Sequence, residues 1–391
     1  MSDAALEAII ERVRAARADK RALDIRGGGT KSFYGEVPRG EPLDVRPLAG
    51  ISSYEPSELV VTVRAGTPLA ELEAALAEKG QCLPFEPPHF AIDARTDDEA
   101  ESAESAPAGA RAKDGALGDT AGGTVGGMVA AGLSGPARVS AGGVRDHVLG
   151  ASLLNGRAEL LSFGGQVIKN VAGYDVSRVL AGSLGILGVI CEVSLKVLPR
   201  ATATQTLRFE LDEAAALQRI NEWGGQPLPI AASAWWSGML VVRLAGAAAA
   251  VHAARARLGG DAIEPAMADA FWAGLRDQSD EFFTAAAVAV ADGASLWRVS
   301  VPQTALALGL AGDTLIEWGG AQRWLTSVAP AAQVRDVVLR AGGHATLFRA
   351  RDKSAGVFAP LSPPLARIHR ELKRAFDPEG VFNPGRLYPD L

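Results

Sequence analysis

Cysteine is scarce in this chain. Its 391 residues include two cysteines, Cys82 and Cys191, and neither belongs to a Cys-x-x-Cys pair or to a Cys/His cluster. Structural zinc and iron–sulfur sites require about four closely arranged ligands, so the sequence supports neither kind of site. Two isolated thiols are typical of buried, reduced cysteines in a cytoplasmic protein.

Long uncharged apolar segments are missing as well. The most apolar stretch, residues 179–198, contains Glu192 and Lys196. A membrane-spanning helix needs about 20 residues with few charges. The acidic start, residues 1–7, also lacks the basic region and the apolar core of a signal peptide. We therefore expect a cytoplasmic protein that does not cross a membrane by itself.

An excess of positive charge is also absent. The formal net charge at pH 7 is −6, and no basic stripe interleaved with aromatic residues occurs. This balance argues against a nucleic-acid surface, because phosphates are attracted by a basic field. The glycine-rich segments match neither the Walker loop, G-x-x-x-x-G-K-[ST], nor the Rossmann fingerprint, G-x-G-x-x-G. We therefore expect neither a nucleoside triphosphate nor a nicotinamide dinucleotide as the ligand.

Glycine, in contrast, is abundant and concentrated in two segments. The first, RGGGTK at 26–31, follows a short predicted strand, and its consecutive glycines allow backbone N–H groups to converge on an anion. Alone, it is equally compatible with an ordinary turn. The second, GGTVGGMVAAGLSGP, begins at Gly122. Two such segments suggest one extended ligand, with a pyrophosphate held by one segment and a flat ring by the other.

The pattern of secondary structure predicts an α+β protein of two units. Residues 1–200 form the first unit, in which 93–119 is an acidic stretch without large apolar residues and is predicted to be a disordered insertion. Residues 201–350 alternate strands and helices, which predicts a second sheet with helices on one face. Residues 351–391 end the chain with a helix at 366–376 and the tail FDPEGVFNPGRLYPDL. Strands of the second unit are expected near 203–211, 230–237, 239–245, 295–301, 313–318, 322–327 and 343–349, and helices near 212–222, 247–257, 266–276, 302–311 and 330–340.

Several motifs in a fixed order resemble a known flavoprotein superfamily. RGGGTKSFYG, VTVRAGTPLAELEAAL and the PFEPP segment at 84–88 resemble the first FAD-binding half of the vanillyl-alcohol-oxidase superfamily, and the second glycine segment with KNVAGYD and GSLGILGVICEVSLKVLP resembles the other half. WGGAQRWL, GGHATLFRA and FDPEGVFNPGRLY are most similar to the family of FAD-binding (E) subunits of glycolate oxidase. The resemblance implies a PCMH-type FAD-binding domain of two α/β subdomains, followed by a ferredoxin-like cap domain.

The resemblance also assigns residues to FAD. Histidine, which tethers the flavin in some members, is absent from the first glycine loop, so attachment is expected to be non-covalent. Arg26, Gly27, Gly28, Gly29, Thr30 and Lys31 would hold the pyrophosphate; Pro84, Thr124, Gly126 and Gly127 would lie along the flavin and ribityl chain; and Gly173, Tyr174, Asp175, Gly182 and Ile190 would surround the adenosine end.

Oxidation of a 2-hydroxy acid also requires a cation for the carboxylate and a base for the hydroxyl proton. Arginine suits the first role because its guanidinium pairs bidentately with carboxylates. The candidates on predicted strands are Arg243, Arg298 and Arg349. His344 is the first candidate base and Tyr174 the second. A lone strand arginine is more often exposed or ion-paired, and a lone histidine is often structural, so these assignments are hypotheses.

Three hypotheses of function remain open. In the first, the chain is a subunit of a complex that oxidises glycolate to glyoxylate; the resemblance then implies a D-type FAD subunit, an iron–sulfur subunit, a quinone acceptor and a peripheral place at the inner face of the membrane. Dehydrogenases related to the D-type subunit carry paired histidines and an acidic residue that bind a divalent metal near the substrate. No such histidine pair occurs in this sequence, so the resemblance favours substrate chemistry on a sister subunit. The second hypothesis is a stand-alone D-lactate-type dehydrogenase. The third is a non-catalytic scaffold subunit.

Overall fold

The computed structural model describes residues 3–90, 122–165 and 175–391. The predicted acidic insertion at 93–119 and two predicted site residues, Gly173 and Tyr174, lie outside the described residues. Within the described part, helices accompany two larger sheets, one of five strands and one of eight. This architecture confirms the predicted α+β class.

The five-stranded sheet belongs to the first half of the chain. Its order is β3-β4-β8-β6-β7, every neighbouring pair is antiparallel, and α2 and α3 contribute Leu72 and Met128 to the core on its apolar face. β1 and β2 form a separate parallel pair. The elements are α1 (Ala4–Ala18), β1 (Leu23–Arg26), β2 (Glu41–Asp44), β3 (Ile51–Glu55), β4 (Val60–Arg64), α2 (Leu69–Glu78), β5 (Gln81–Cys82), α3 (Val125–Ala131), α4 (Arg138–Ala141), α5 (Val144–His147), β6 (Val148–Leu154), β7 (Leu160–Gly164), β8 (Val189–Lys196) and β9 (Leu198–Pro199).

The eight-stranded sheet follows β9 in sequence, and all its neighbouring strands are antiparallel. Its order is β13-β10-β12-β11-β15-β16-β14-β17. The elements are β10 (Ala203–Glu210), α6 (Glu213–Gly224), β11 (Ile230–Trp236), β12 (Met239–Gly246), α7 (Ala248–Leu258), β13 (Asp261–Ala262), α8 (Pro265–Asp277), α9 (Glu281–Ala291), β14 (Ser295–Ser300), β15 (Asp313–Glu317), β16 (Gln322–Ser327), α10 (Ala331–Arg340) and β17 (His344–Arg349).

This sheet consists of two ferredoxin-like units. The strands β10 to β13, with α6 and α7, follow the order β-α-β-β-α-β and are arranged as fourth, first, third and second. β14 to β17 repeat the same arrangement, with a loop where the first helix would lie. The units meet where β11 pairs with β15, at Trp235 and Ile316. The predicted ferredoxin-like cap is therefore confirmed, and its duplication is a feature that the sequence did not reveal.

The helix predicted near 302–311 is wrong, because a loop connects β14 to β15. Gly309 and Gly312 adopt positive φ angles of 63° and 138°, which end any helical run. The guanidinium of Arg323, which is 1% exposed, donates hydrogen bonds to the carbonyl oxygens of Ala305 and Leu306. A side chain from β16 thus satisfies carbonyls that a helix would pair internally.

Helices cover both faces of the eight-stranded sheet, not one face as the sequence predicted. α6, α7 and α10 pack on the outer face. α8 and the unpredicted α9 lie on the other face, where the indole of Trp272 donates to Thr206 and Phe283 contacts Trp324 edge-on. Both faces of the sheet are apolar, so strand periodicity alone could not assign the helices to one side.

The chain returns to the first half after β17. α11 (Pro363–Phe376) leads into a turn in which Asp377 accepts hydrogen bonds from the backbone N–H groups of Val381 and Phe382. The ammonium of Lys373 lies 2.7 Å from the Asp377 carboxylate, and Lys373 also donates to the carbonyls of Ile186 and Phe382. Both charged groups are buried and fully hydrogen-bonded, so they fasten the tail to the first half.

Lys373→Ala should lower the free energy of unfolding by about 3 kcal/mol or more, because it leaves the Asp377 carboxylate buried without its cation. Urea unfolding followed by circular dichroism measures this change. The adjacent Arg374→Ala is the matched control, since Arg374 pairs with Glu371 on the surface and such pairs contribute little. Equal losses in the two variants would contradict the buried-pair account.

Candidate functional site

The two glycine-rich segments meet in space. A Cβ atom at Gly27 would lie 2.3 Å from Oγ1 of Thr124, and one at Gly126 would lie 2.6 Å from the Cβ of Ala65. Thr124 begins α3, where its Oγ1 accepts a hydrogen bond from the N–H of Gly127. A side chain at Gly27 would therefore collide with Thr124 of the second segment, and one at Gly126 would collide with Ala65, which follows β4.

An open cleft of about 880 Å³, its mouth included, lies where the loops meet. It brings together most of the predicted FAD residues with several that sequence reasoning missed. The predicted residues that line it are Arg26, Gly27, Gly28, Gly29, Thr30, Lys31, Thr124, Gly126, Gly127 and Ile190, and the unpredicted ones include Asp24, Val45, Ala65, Leu184, Gly185, Asn383 and Arg386.

Lys31 places a desolvated positive charge in this cleft. Burial lowers the pKa of its ammonium to about 8, against the opposing influence of the distant Asp277. Its Nζ lies 3.3 Å from Oγ1 of Thr30 and 5.5 Å from the ring centroid of Phe90. No carboxylate of the described residues forms a salt bridge with it. An anionic ligand such as a pyrophosphate would supply the missing countercharge.

The C-terminal tail holds the first glycine loop in position. The buried guanidinium of Arg386 donates to the carbonyls of Ser32, Tyr34 and Glu36, which directly follow the loop. Asn383 accepts a hydrogen bond from the N–H of Ile25, just before the loop. Burial lowers the pKa of Arg386 to about 10, which leaves it charged at neutral pH. The tail motif FNPGR was noticed in the sequence, but its spacing gave no sign of this role.

Three predicted FAD residues lie elsewhere. Pro84 lines a second open cleft of about 1800 Å³ between the two halves, together with Arg243. Gly182 has a φ of 84° and donates its N–H to the carbonyl of Val129. The carboxylate of Asp175 lies 3.0 Å from the guanidinium of Arg178. None of the three lines the first cleft.

The candidate substrate residues are dispersed over the inner face of the large sheet. Arg243 is ion-paired with Glu86 at 2.7 Å, and Arg349 stacks 3.6 Å from the ring centroid of Phe33. Nε of Arg298 donates to Oε1 of Gln322 at 2.7 Å. His344 is exposed on the edge strand β17, where partial burial and Arg298 lower its pKa.

Arg298 also lines a small cavity that the sequence did not predict. The cavity lies between the sheet and the Leu133–Gly135 segment of the first half, and it contains Glu317, Gln322 and Trp324. Glu317 is 3% exposed, and burial raises the pKa of its carboxyl to about 7. The motif WGGAQRWL, which begins just after Glu317, was the available signal, but a motif does not reveal burial.

The part of the chain that the structure describes contains neither a metal-binding cluster nor a membrane-spanning helix. In that part of the chain, no group of three or more His, Cys, Asp or Glu could hold a metal ion. Likewise, none of the described helices is long and apolar enough to cross a membrane.

This chain is similar to known FAD-binding proteins. The family described as "FAD binding domain" matches residues 4–92. Glycolate oxidase subunit GlcE of Escherichia coli (strain K12) is 45% identical over 385 residues, which cover 98% of each chain. Glycolate oxidase subunit GlcD of Bacillus subtilis (strain 168) is 26% identical over 195 residues, 49% of this chain and 35% of that protein. An alkyldihydroxyacetonephosphate synthase structure aligns over 97% of this chain and 75% of its own, with a TM-score of 0.63 and 15% identity, which shows a shared fold.

The cleft and these similarities define an FAD-binding oxidoreductase with a PCMH-type fold. Within that class, the chain belongs to the family of glycolate oxidase subunit GlcE. The resemblance predicted from the ordered motifs is therefore confirmed.

Gly27→Ala should lower the free energy of unfolding by about 1–3 kcal/mol, because the new methyl group would overlap Oγ1 of Thr124 and force the loops apart. Thermal and urea unfolding measure the change. Gly122→Ala is the control, since a Cβ there meets no atom within 4 Å. Because Thr124→Ala also removes the hydrogen bond that Thr124 accepts from Gly127, it serves as the second background: Gly27→Ala should cost less there than in the wild type. An equal cost in the two backgrounds would contradict the overlap as its cause.

Proposed function

We propose that this chain binds one FAD non-covalently and is a subunit of a complex that oxidises glycolate to glyoxylate. The end-to-end similarity to glycolate oxidase subunit GlcE carries this proposal. The cleft supports it, because two closely packed loops, a desolvated lysine and a tail that braces them suit a dinucleotide with a pyrophosphate. The first glycine loop contains no histidine, which favours a non-covalent flavin.

The proposal gives the residues of the cleft distinct roles. Backbone N–H groups of Gly27 to Thr30, together with the ammonium of Lys31, bind the pyrophosphate. The apolar wall that contains Val45, Leu184 and Ile190 receives the adenosine. Bound FAD supplies a two-electron acceptor for the oxidation of an alcohol. Arg26, paired with the buried Asp24 at 2.6 Å, closes the rim of the loop.

The division of the chain is part of the same proposal. Residues 1–200 bind FAD, 201–350 form the cap, and 351–391 return to the FAD-binding domain. The hydrogen bonds of Asn383 and Arg386 support the return, since both join the tail to the first glycine loop.

We extend the proposal to a D-type FAD subunit and an iron–sulfur subunit as partners. The chain has only two cysteines, both free, so it cannot hold an iron–sulfur relay itself. Electrons would then pass to a partner, and the complex would lie in the cytoplasm, peripheral to the inner face of the cell membrane. Co-purification of the tagged chain, with mass spectrometry and iron analysis of its partners, tests this arrangement.

A stand-alone D-2-hydroxy-acid dehydrogenase is the competing function. D-lactate dehydrogenase of Archaeoglobus fulgidus is 29% identical, but over only 187 residues, 47% of this chain. Turnover of glycolate and D-lactate with an artificial electron acceptor separates the two: activity confined to the assembled complex supports the subunit, and full activity of the isolated chain supports the dehydrogenase. A folded chain without visible flavin absorbance would instead indicate a scaffold.

The affinity for FAD should depend on the protonation of Lys31. The pKa of Lys31 is about 8 in the free protein, and a bound pyrophosphate favours the charged form and raises that pKa. Affinity should therefore be constant below about pH 8 and fall above it, with proton uptake on binding. Isothermal titration of deflavinated protein at pH 7 and 9 measures both effects.

Lys31→Gln should weaken FAD binding by about ten- to a hundredfold at pH 7, the effect expected for a hydrogen bond to a charged group, and should abolish the dependence on pH. The exposed Lys79→Gln is the control and should retain the wild-type profile. A pH dependence that survives in Lys31→Gln would show that another group is responsible.

Arg298 and Arg349 are the residues to test for substrate binding. Within the assembled complex, Arg298→Ala should lower kcat/KM for glycolate by about tenfold or more, because it removes a charged partner of the carboxylate. Arg349→Ala should also lower kcat/KM, because it removes the stacking of Arg349 on Phe33. The surface variant Arg219→Ala is the control. Unchanged kinetics in both test variants would exclude the two arginines from the substrate pocket.

A further inference from the structure

The small cavity beneath the β15–β16 hairpin has the features of a binding site for an anion. The space is small, about 310 Å³ with the open solvent at its mouth included, and it lies between the sheet and the first half of the molecule. Arg298, Glu317 and Gln322 provide its polar groups, and Phe90, Trp324 and Phe348 provide apolar walls. Nζ of Lys31, which lines the first cleft, lies 5.5 Å from the ring centroid of Phe90, so the linings of the two spaces are neighbours.

The hairpin is built to hold these groups in a fixed position. Trp318, Gly319 and Gly320 have φ angles of 53°, 68° and 96°, three consecutive residues in the left-handed region. Such a conformation is costly for a tryptophan and persists only where the surrounding structure holds it in place. The indole of Trp318 donates to the carbonyl of Gly135, which anchors the hairpin to the first half. Glu317 and Gln322 flank this turn and pair across the strands.

A chain of hydrogen bonds orients Arg298. Trp324 donates to Oε2 of Glu317 at 2.7 Å, and Nε2 of Gln322 donates to the same oxygen at 3.2 Å. Oε1 of Gln322 then accepts from Nε of Arg298. Among the described residues, the two Nη atoms of Arg298 have no hydrogen-bond partner, although they carry the geometry that binds a carboxylate bidentately. Oε1 of the lining residue Gln278 is buried and likewise unpartnered within the described part.

We propose that this cavity binds the carboxylate of a small 2-hydroxy acid between Arg298 and Glu317, and that it does so when Glu317 is protonated. This inference rests on the proposed function and specifies where the substrate class binds. Ionised, Glu317 cancels the charge of Arg298 and repels a carboxylate. Protonated, it leaves the cavity a net positive charge and supplies a hydrogen-bond donor. The small size of the cavity favours a short-chain acid.

The net charge of the cavity depends mainly on the protonation of Glu317, because the other nearby charges are paired or lie outside its lining. Burial raises its pKa to about 7; Asp280 also raises that pKa, and Arg298 lowers it. Arg276, from α8, is neutralised by Asp277 at 2.7 Å. The remaining charged or titratable groups that face the hairpin are Asp280 at the start of α9, Arg138 of α4, which stacks 4.5 Å from the ring centroid of Trp318, and His344 of β17 beside Arg298.

The expected dependence on pH follows from the raised pKa. Below about pH 7 the carboxyl of Glu317 is neutral and the cavity accepts an anion without a change of protonation. Above pH 7 it is ionised in the free protein, so binding must take up a proton. Affinity should therefore fall by about tenfold or more between pH 6.5 and 8.5.

The test uses the FAD-loaded full-length chain and 2-hydroxy-2-methylpropanoate, which has no α-hydrogen and cannot be oxidised. Isothermal titration in two buffers of different ionisation enthalpy measures affinity and proton uptake at both pH values. Wild-type protein should show both the fall and the uptake. Glu317→Gln, which imitates the neutral acid and can still accept from Trp324, should bind with an affinity independent of pH. Arg298→Gln should lose binding at both values.

Arg219→Gln is the matched control, because Arg219 stacks 5.7 Å from the ring centroid of Trp223 on the outer surface, and it should match the wild type. Near-ultraviolet circular dichroism shows whether each variant is folded. Flavin absorbance is recorded for each sample: a chain that binds no flavin would overturn the proposed function. Two results with flavin-loaded protein would overturn only this inference. One is a wild-type affinity that does not change with pH, and the other is a pH dependence that persists in Glu317→Gln.

Discussion

The contact between the two glycine loops is the constraint on which the nucleotide cleft depends. Gly27 lies against Thr124 of the second loop, and Gly126 of that loop lies against Ala65 after β4, at distances that leave no room for a Cβ atom. These contacts join three segments that are remote in sequence, so the cleft forms only when all three are in place. The loops consist largely of glycine, so Lys31 is one of the few charged side chains that line the cleft.

The cap is attached to this frame by polar contacts that also define its cavities. Arg243 of β12 reaches Glu86, and Trp318 of the β15–β16 turn reaches Gly135, so the large sheet is fixed at two points to the first half. The contact of Trp318 with Gly135 also positions the buried polar groups of the β15–β16 hairpin. Glu317 is held beside Arg298 by a hairpin whose backbone is strained, and a strained segment persists only where its surroundings hold it in place.

Sequence reasoning identified the fold class, most strands and ten of the residues that line the first cleft, because these depend on local signals: glycine runs, β-branched stretches and ordered motifs. It failed where tertiary contacts decide. The loop after β14 carries a helical pattern, yet Arg323 from another strand satisfies its carbonyls. Arg298, Arg349 and Arg243 looked equivalent on their strands, and only their partners distinguish them. Glu317 was missed because burial, not spacing, makes a carboxyl unusual.

The support of the first glycine loop by Asn383 and Arg386 has a consequence for biosynthesis. A ribosome completes the loop long before it makes these two residues, since the whole cap is translated between them. The nascent chain must therefore hold an unfinished coenzyme cleft throughout the synthesis of the large sheet. Binding of the coenzyme is thus expected to follow translation. It should become stable only after the tail has folded against the first glycine loop.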